Sequence, residues 1–291
     1  MDNYLINNHI NEFKEYGYTV LKGLNKHNVE FWRSTIESIY FSEGAGWFDR
    51  QRVGLSKKEP TSLLHRCSDI FLPYPISTDL LDVAEALMGP FVSLAGIGAK
   101  VSAPMDKRKA LQFRVWHRDM WPVHGWTEDY LPPEGINVLT YLQEGEMYGK
   151  LKVIPGSHRG NVKIPDSIAQ SPNEKELSIK LSQGDTVLIH SSLFHSESGN
   201  YSDELRILIN CFLVKCWLPG KMNYEQIPAV KDLINYARET RNNRIIRLFS
   251  PDLEEVLNRV WNWHAHKPDG CSLSTEDMWG KWLEEDRKML E

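Results

Sequence analysis

Cysteine is scarce in this chain, with four among 291 residues and no CxxC pair. That excludes a disulfide scaffold and leaves a zinc ribbon without its ligand spacing. Cys211 and Cys216 lie in or beside an apolar run and read as buried free thiols. Excess positive charge is missing too. Lys and Arg total 34 against 39 Asp and Glu, a net charge of -5, so the overall basic footprint of a nucleic-acid binder is absent. Long apolar runs are also lacking. The longest strongly apolar stretch, Ile207 to Val214, is eight residues with Asn210 inside it, too short to cross a bilayer. The opening MDNYLINNHINEFKEYG has neither a basic n-region nor an apolar h-region. These absences predict a soluble cytoplasmic protein with a small-molecule partner, no nucleic acid and no membrane.

Ten tryptophans are the unusual abundance, and 41% hydrophobic residues suffice for a buried core. Apolar spacing predicts a helix over Ile6–Tyr16 closed by Gly17, a strand over Tyr18–Leu24 and a helix over Asn28–Phe41. Ser42–Pro60 reads as a loop, and Asp79–Met88 as a short helix stopped by Gly89-Pro90. The texture then changes. Short β-rich segments alternate with turns: Phe91–Ile97, Leu111–Trp116, Asn137–Gln143, Lys150–Ile154, Leu177–Lys180, Thr186–His190 and Arg206–Trp217. Pro155-Gly156 suits a tight turn and Gly184-Asp185 a hairpin. Beyond Pro219, helices are expected over Val230–Phe249, Leu253–Trp263 and Thr275–Leu290. The organisation is one domain over 1–291: N-terminal helices and a strand to 90, a β core over 91–218, and a helical extension over 219–291.

Trp116-His117-Arg118-Asp119 is the strongest chemical signal. Residues two apart on a strand share a face, so His117 and Asp119 can offer an imidazole and a carboxylate to one metal. Thr186–His195 supplies two further histidines, His190 and His195, near the end of another strand. Two histidines and one carboxylate form the facial triad of non-haem Fe(II) oxygenases, which leaves positions open for co-substrate and oxygen. A lone HxD is more often a hydrogen-bonded structural pair. Arg206, eleven residues after His195 at the head of an apolar strand, raises the odds, because an inward-facing guanidinium needs a planar anion.

Gly17-Tyr18 ahead of a strand, WHRD at 116–119, PGSH at 155–158, Gly184-Asp185 and His195-Ser-x-Ser-x-Asn200-x-Ser202-x3-Arg206 resemble the phytanoyl-CoA dioxygenase family of Fe(II)- and 2-oxoglutarate-dependent oxygenases. The resemblance runs from about Phe13 to Trp217. It implies a mainly β, α+β fold with a double-stranded β-helix (jelly-roll, cupin-like) core. It implies His117, Asp119 and His195 as iron ligands, and Arg206 as the residue that holds the distal carboxylate of 2-oxoglutarate. O2 is the third reactant, and 2-oxoglutarate leaves as succinate and CO2. His190 reads as core or as a residue behind the ligands, and His158 as structural. Where relatives often carry Gln and Thr, this chain has Arg118 and Leu151. Gln112 and Thr140, on neighbouring expected strands, are then the candidates for further co-substrate contacts. The halogenase branch lacks the carboxylate ligand, so Asp119 favours hydroxylation, desaturation or ring-forming oxidation.

Other readings are weaker. His-Arg-Asp also occurs in the kinase catalytic loop, but the Asn required five residues on is His124 here. A zinc hydrolase uses the same ligand types but has no call for Arg206. A hydroxylase of acyl-CoA or carrier-bound acyl groups, and a non-catalytic metal-binding jelly roll, are the alternatives to an oxygenase of a small, partly apolar metabolite in natural-product biosynthesis. Arg238, Arg241, Arg244 and Arg247 recur every three residues and read as a solvated helix face. Trp116, Trp121, His124 and Trp126 flank the HxD motif and are candidates for the substrate pocket. Trp261, Trp263, Trp279 and Trp282 are expected in a helical cover.

Overall fold

The structure, a computed structural model, describes residues 1–43, 62–120, 129–160, 175–218 and 222–250. Helix α1 (Asn3–Tyr16) starts at Asp2, whose carboxylate accepts from the Leu5 amide, and ends at Gly17 with φ 82°. A β-carbon at Gly17 would stand 2.6 Å from His158 Nδ1, so both conformation and space demand glycine. Strand β1 (Tyr18–Leu21) follows, then α2 (Val29–Glu43), α3 (Leu63–Phe71) and α4 (Thr78–Met88). Next come β2 (Val92–Ser102), α5 (Lys107–Gln112), β3 (Gly135–Tyr141), β4 (Leu151–Val153), β5 (Leu177–Ser178), β6 (Thr186–His190), β7 (His195–Glu197) and β8 (Arg206–Lys215). Helices α6 (Pro228–Glu239) and α7 (Asn243–Phe249) complete the described chain.

Two antiparallel sheets form the core: β1-β6-β3-β8-β2 and the smaller β5-β4-β7. This is the expected jelly roll with flanking helices. The large sheet is buried on both faces, and the period-2 alternation of its strands sorts residues between two cores. Val138, Leu188, Ile209, Cys211 and Leu213 pack with Phe13, Trp32, Phe71 and Tyr74 from the helical side. Leu139, Tyr141, Val187, Ile189 and Leu208 face the small sheet, together with Leu151 and Val153. Apolar burial at roughly 25 cal/mol per Å² makes each face a strong specifier of register, since a one-residue slip would exchange them.

Thr140 lies on the helical face. Its hydroxyl shares hydrogen bonds with Tyr74 Oη (2.8 Å) and Thr186 Oγ1 (2.7 Å), and Asn25 Nδ2 donates to Thr186 Oγ1 (2.9 Å). These buried polar groups satisfy one another between sheet and helices.

Several expectations are corrected. Leu111–Trp116 is not a strand: Asp106 caps the Lys109 amide and starts α5, which runs through Gln112. Val230–Phe249 is two helices, broken where Arg241 adopts φ 58°. Arg244 and Arg247 therefore leave the solvated face. Arg244 Nη2 pairs with Asp82 at 2.7 Å and also with Glu85, and Arg247 is buried with its guanidinium over the Phe91 ring. Helix α3 was not anticipated, although the Ser62 cap on the Leu64 amide and the buried Leu63, Leu64 and Phe71 carry its signal. The helices expected over 253–263 and 275–290, with their four tryptophans, and nearly all of the expected 42–60 loop lie outside the described residues.

Candidate metal centre

The chain brings His117, Asp119 and His195 together by pairing two backbone segments. His117 N–H donates to His195 O (3.0 Å), and His195 N–H donates back to His117 O (3.1 Å). Two more bonds pin the HxD segment on either side: the Val115 amide to Ser196 Oγ (2.8 Å) and the Met120 amide to Ser191 O (2.9 Å). The imidazoles lie 4.2 Å apart, centroid to centroid. Each ring is oriented by the carbonyl two residues before it: His117 Nδ1 to Val115 O at 2.9 Å, and His195 Nδ1 to Leu193 O at 3.0 Å. A carbonyl only accepts, so Nδ1 carries the hydrogen and Nε2 keeps its lone pair.

Both Nε2 atoms face Asp119. His117 Nε2 is 3.8 Å from Oδ1, and His195 Nε2 is 3.8 Å from Oδ2. These distances are too long for hydrogen bonds. They are of the order of ligand-to-ligand spacings around one cation that sits about 2.0–2.2 Å from each donor. All three ligand atoms lie within 4.8 Å of one another. Asn137 Nδ2 donates to Asp119 Oδ2 (3.1 Å) and turns the carboxylate toward the histidines. Burial, followed by the neighbouring His117, lowers the His195 pKa against the pull of Asp119, which favours the neutral ligating ring. Two imidazoles and one carboxylate fit an Fe(II) centre with open positions.

The triad opens on a cavity of about 590 Å³. Its floor is the inner face of the large sheet: Asn137, Leu139 and Tyr141 of β3, Leu208 and Asn210 of β8. Leu151 of β4 faces them. Arg206 lies in the same cavity and is 2% exposed. Its Nη2 reaches Glu197 Oε2 at 2.7 Å and Ser102 Oγ at 2.9 Å, and its Nη1 reaches Ser198 O at 2.7 Å and Tyr148 O at 3.2 Å. The other oxygen of Glu197 pairs with Lys100 Nζ. Gly149, at φ 86°, lets the backbone pass the guanidinium, since a β-carbon there would come within 2.7 Å of Nη1. Burial pushes the Tyr141 phenol up, opposed by Arg206, so it remains a neutral donor.

Of the residues expected from sequence, His117, His195 and Arg206 line this one cavity, and Asp119 joins the two histidines in the ligand triad. Thr140 does not, because it sits one residue off the inner face and is consumed by Tyr74 and Thr186. Gln112 is exposed at the end of α5 and does not line the cavity. Trp116 does not line it either, and its Nε1 is buried with no hydrogen-bond partner among the described residues. Trp121, His124 and Trp126 lie outside the described residues. Sequence reasoning missed Asn137, Lys100 and Glu197. The spacing of Glu197 from His195, two residues along one strand, was the available signal for the last.

His190 and His158 form a second, separate pair, 4.9 Å apart by ring centroids. His190 packs against Phe13 beneath α1, donates from Nε2 to Leu131 O (3.2 Å) and accepts the Ser192 amide at Nδ1 (3.0 Å). His158 Nε2 donates to Lys14 O at 3.2 Å. Both are core residues.

Fold and site together define a jelly-roll protein in which two histidines and one carboxylate are grouped so that they could hold a metal ion. Residues 13–208, more than half of the chain, match the family model described as phytanoyl-CoA dioxygenase (PhyH). The chain belongs to that family of Fe(II)- and 2-oxoglutarate-dependent oxygenases. No curated protein matches it. Among solved structures it is similar to HygX from Streptomyces hygroscopicus with nickel and 2-oxoglutarate bound, at 14% identity and TM-score 0.56, covering 75% of this chain and 90% of that one. It is also similar to SnoN, a non-haem alpha-ketoglutarate-dependent epimerase from nogalamycin biosynthesis, at 14% identity and TM-score 0.51, covering 78% and 91%. At this identity the likeness establishes the shared fold. Among the described residues no helix is long and apolar enough to cross a membrane.

Proposed function

We propose that this chain uses Fe(II), 2-oxoglutarate and O2 to hydroxylate, desaturate or oxidatively cyclise a small, partly apolar metabolite of natural-product biosynthesis, with release of succinate and CO2. The observation that carries this reading is a triad of possible metal donors whose two histidines line the same cavity as a buried arginine. His117, Asp119 and His195 would hold the iron, which with 2-oxoglutarate and O2 supplies the oxidising chemistry when bound.

The chain's own residues do the rest. The carbonyls of Val115 and Leu193 fix the imidazole tautomers, and Asn137 fixes the carboxylate, so little reorganisation is needed when metal enters. Arg206 is fixed in its plane by four partners at Nη1 and Nη2, which leaves Nε–H without a partner among the described residues, so it would meet the distal carboxylate of 2-oxoglutarate through Nε or by exchange with Glu197. Leu139, Leu151 and Leu208 give the cavity apolar walls that limit water near the metal. Tyr40, Pro104, Met105 and Phe113 line the same cavity and suit an apolar substrate portion. Structures of similar fold contain hygromycin B, in HygX, and nogalamycin RO, in SnoN, which supports a natural product as substrate class.

Purified protein with Fe(II), 2-oxoglutarate and O2 is expected to form succinate, faster when a metabolite extract contains the substrate. Untargeted mass spectrometry should then show a metabolite that gains one oxygen or loses two hydrogens. Absence of succinate from the iron-loaded protein under all these conditions would contradict the reading.

A further inference from the structure

We propose that Lys100 is a second anchor for the distal carboxylate of 2-oxoglutarate, beside Arg206, and that Glu197 fills their shared cradle as an internal carboxylate until the co-substrate enters. This rests on the functional reading above and adds two residues to it.

Strand register places the groups. In the β2–β8 pair Ser102 stands opposite Arg206, and Lys100 opposite Leu208. Opposed residues share a face, so Lys100, Ser102, Arg206 and Leu208 all point into the cavity, which they line. Glu197 enters from the other sheet. It lies two residues past His195 on β7, a reach of about 7 Å along the strand. That reach is comparable to the carbon skeleton of a five-carbon 2-oxo diacid whose oxo-acid end lies at the metal. Glu197 already shows what the cradle accepts: one oxygen on Arg206 Nη2 at 2.7 Å, the other on Lys100 Nζ. One carboxylate therefore bridges both cations.

Charge counting points the same way. Two cations and one carboxylate leave the cradle at +1, enough to welcome one more carboxylate group. The two cations differ in freedom. Arg206 is tied to Ser102, Ser198 and Tyr148 as well as Glu197, whereas the Lys100 side chain is 42% exposed on a flexible stem. Lys100 is thus the cation able to exchange the Glu197 carboxylate for that of a ligand. Glu197 holds the two cations together, where neighbouring positive charges would otherwise repel, and competes with the ligand for them.

The test is calorimetric titration of 2-oxoglutarate into anaerobic, Fe(II)-loaded protein, with 2-oxopentanoate as the probe that lacks the distal carboxylate. Lys100→Met should raise the 2-oxoglutarate Kd about tenfold, the size expected for one charge-assisted hydrogen bond. It should leave Fe(II) affinity and the 2-oxopentanoate Kd unchanged, and Lys100→Arg should restore most of the loss. Glu197→Gln should lower the 2-oxoglutarate Kd by about threefold. Wild-type affinity in Lys100→Met, or weakening in Glu197→Gln comparable to that in Arg206→Met, would overturn the proposal while leaving the functional reading intact. Failure of metal-loaded wild-type protein to bind 2-oxoglutarate at all would overturn both.

Discussion

Among the described residues two pairs of histidines lie close together, and the contrast between them separates chemistry from packing. His117 and His195 are oriented through Nδ1, each on the carbonyl two residues behind it, so both Nε2 atoms face Asp119 and an open cavity. His158 and His190 are oriented the other way round, through Nε2, on Lys14 O and Leu131 O. Nδ1 of His190 is taken by the Ser192 amide, and Nδ1 of His158 is buried without a hydrogen-bond partner among the described residues. The second pair has Phe13 and Tyr130 against it rather than a carboxylate. Its role is to lock the C-terminal end of α1 and Gly17 onto the jelly roll. Histidine proximity alone therefore says little about metal binding; the tautomer and the carboxylate decide.

Substitutions can break this contrast, beginning with the largest effect. His195→Ala should lower Fe(II) affinity by at least about a hundredfold and remove succinate formation, because two donors no longer close a facial site. Calorimetry with Fe(II) and a succinate assay check this, with circular dichroism to confirm the fold. His190→Ala should do the reverse. It empties a packed site and costs about 3 kcal/mol in urea unfolding, while Fe(II) affinity stays within about twofold of wild type.

Acid should single out the structural pair. Burial lowers His158 to about 4 and His190 to about 3, from an ordinary value of 6.5. The unfolded chain then binds protons that the folded chain refuses. The stability contributed is complete above about pH 6.5 and drains away as pH falls from there toward 4 and 3. The unfolding free energy from urea titrations should decline steadily between pH 6.5 and 4, by a few kcal/mol in total, and His190→Ala should flatten that slope. The smallest effect is expected at Thr140, which belongs with the structural pair in function. Thr140→Val should cost about 1 kcal/mol of stability through Tyr74 and Thr186, with 2-oxoglutarate affinity unchanged.

What was legible in the sequence follows the same division. His117, Asp119 and His195 were readable because strand parity and family spacing are local properties. Arg206 was readable because an arginine heads an otherwise apolar strand. Thr140 was misread because its neighbours Leu139 and Tyr141, not Thr140 itself, occupy the inner face, and parity is fixed only by the register of β3 with β6 and β8. Gln112 was misread because the Asp106 cap turns its segment into a helix. The pairing of Lys100 with Glu197 was invisible because the two meet across two sheets, 97 residues apart in the chain. Arg244 and Arg247 looked like surface because three-residue recurrence presumes an unbroken helix, and the break at Arg241 redirects them to Glu85 and Phe91. The jelly-roll order itself came with the family resemblance, and Gly184-Asp185 is a turn between strands of two different sheets rather than a hairpin; Gly184, at φ 81°, is required there because an added β-carbon would meet Lys26 backbone at 2.6 Å.

Anaerobic titration with Fe(II), followed by 2-oxoglutarate, bears most directly on the central claim. Wild-type protein should bind one iron and then one 2-oxoglutarate, and Asp119→Ala should bind iron at least about a hundredfold more weakly, with the fold unchanged. Iron uptake by Asp119→Ala as tight as by wild type, or no iron uptake by the wild-type chain, would contradict the account.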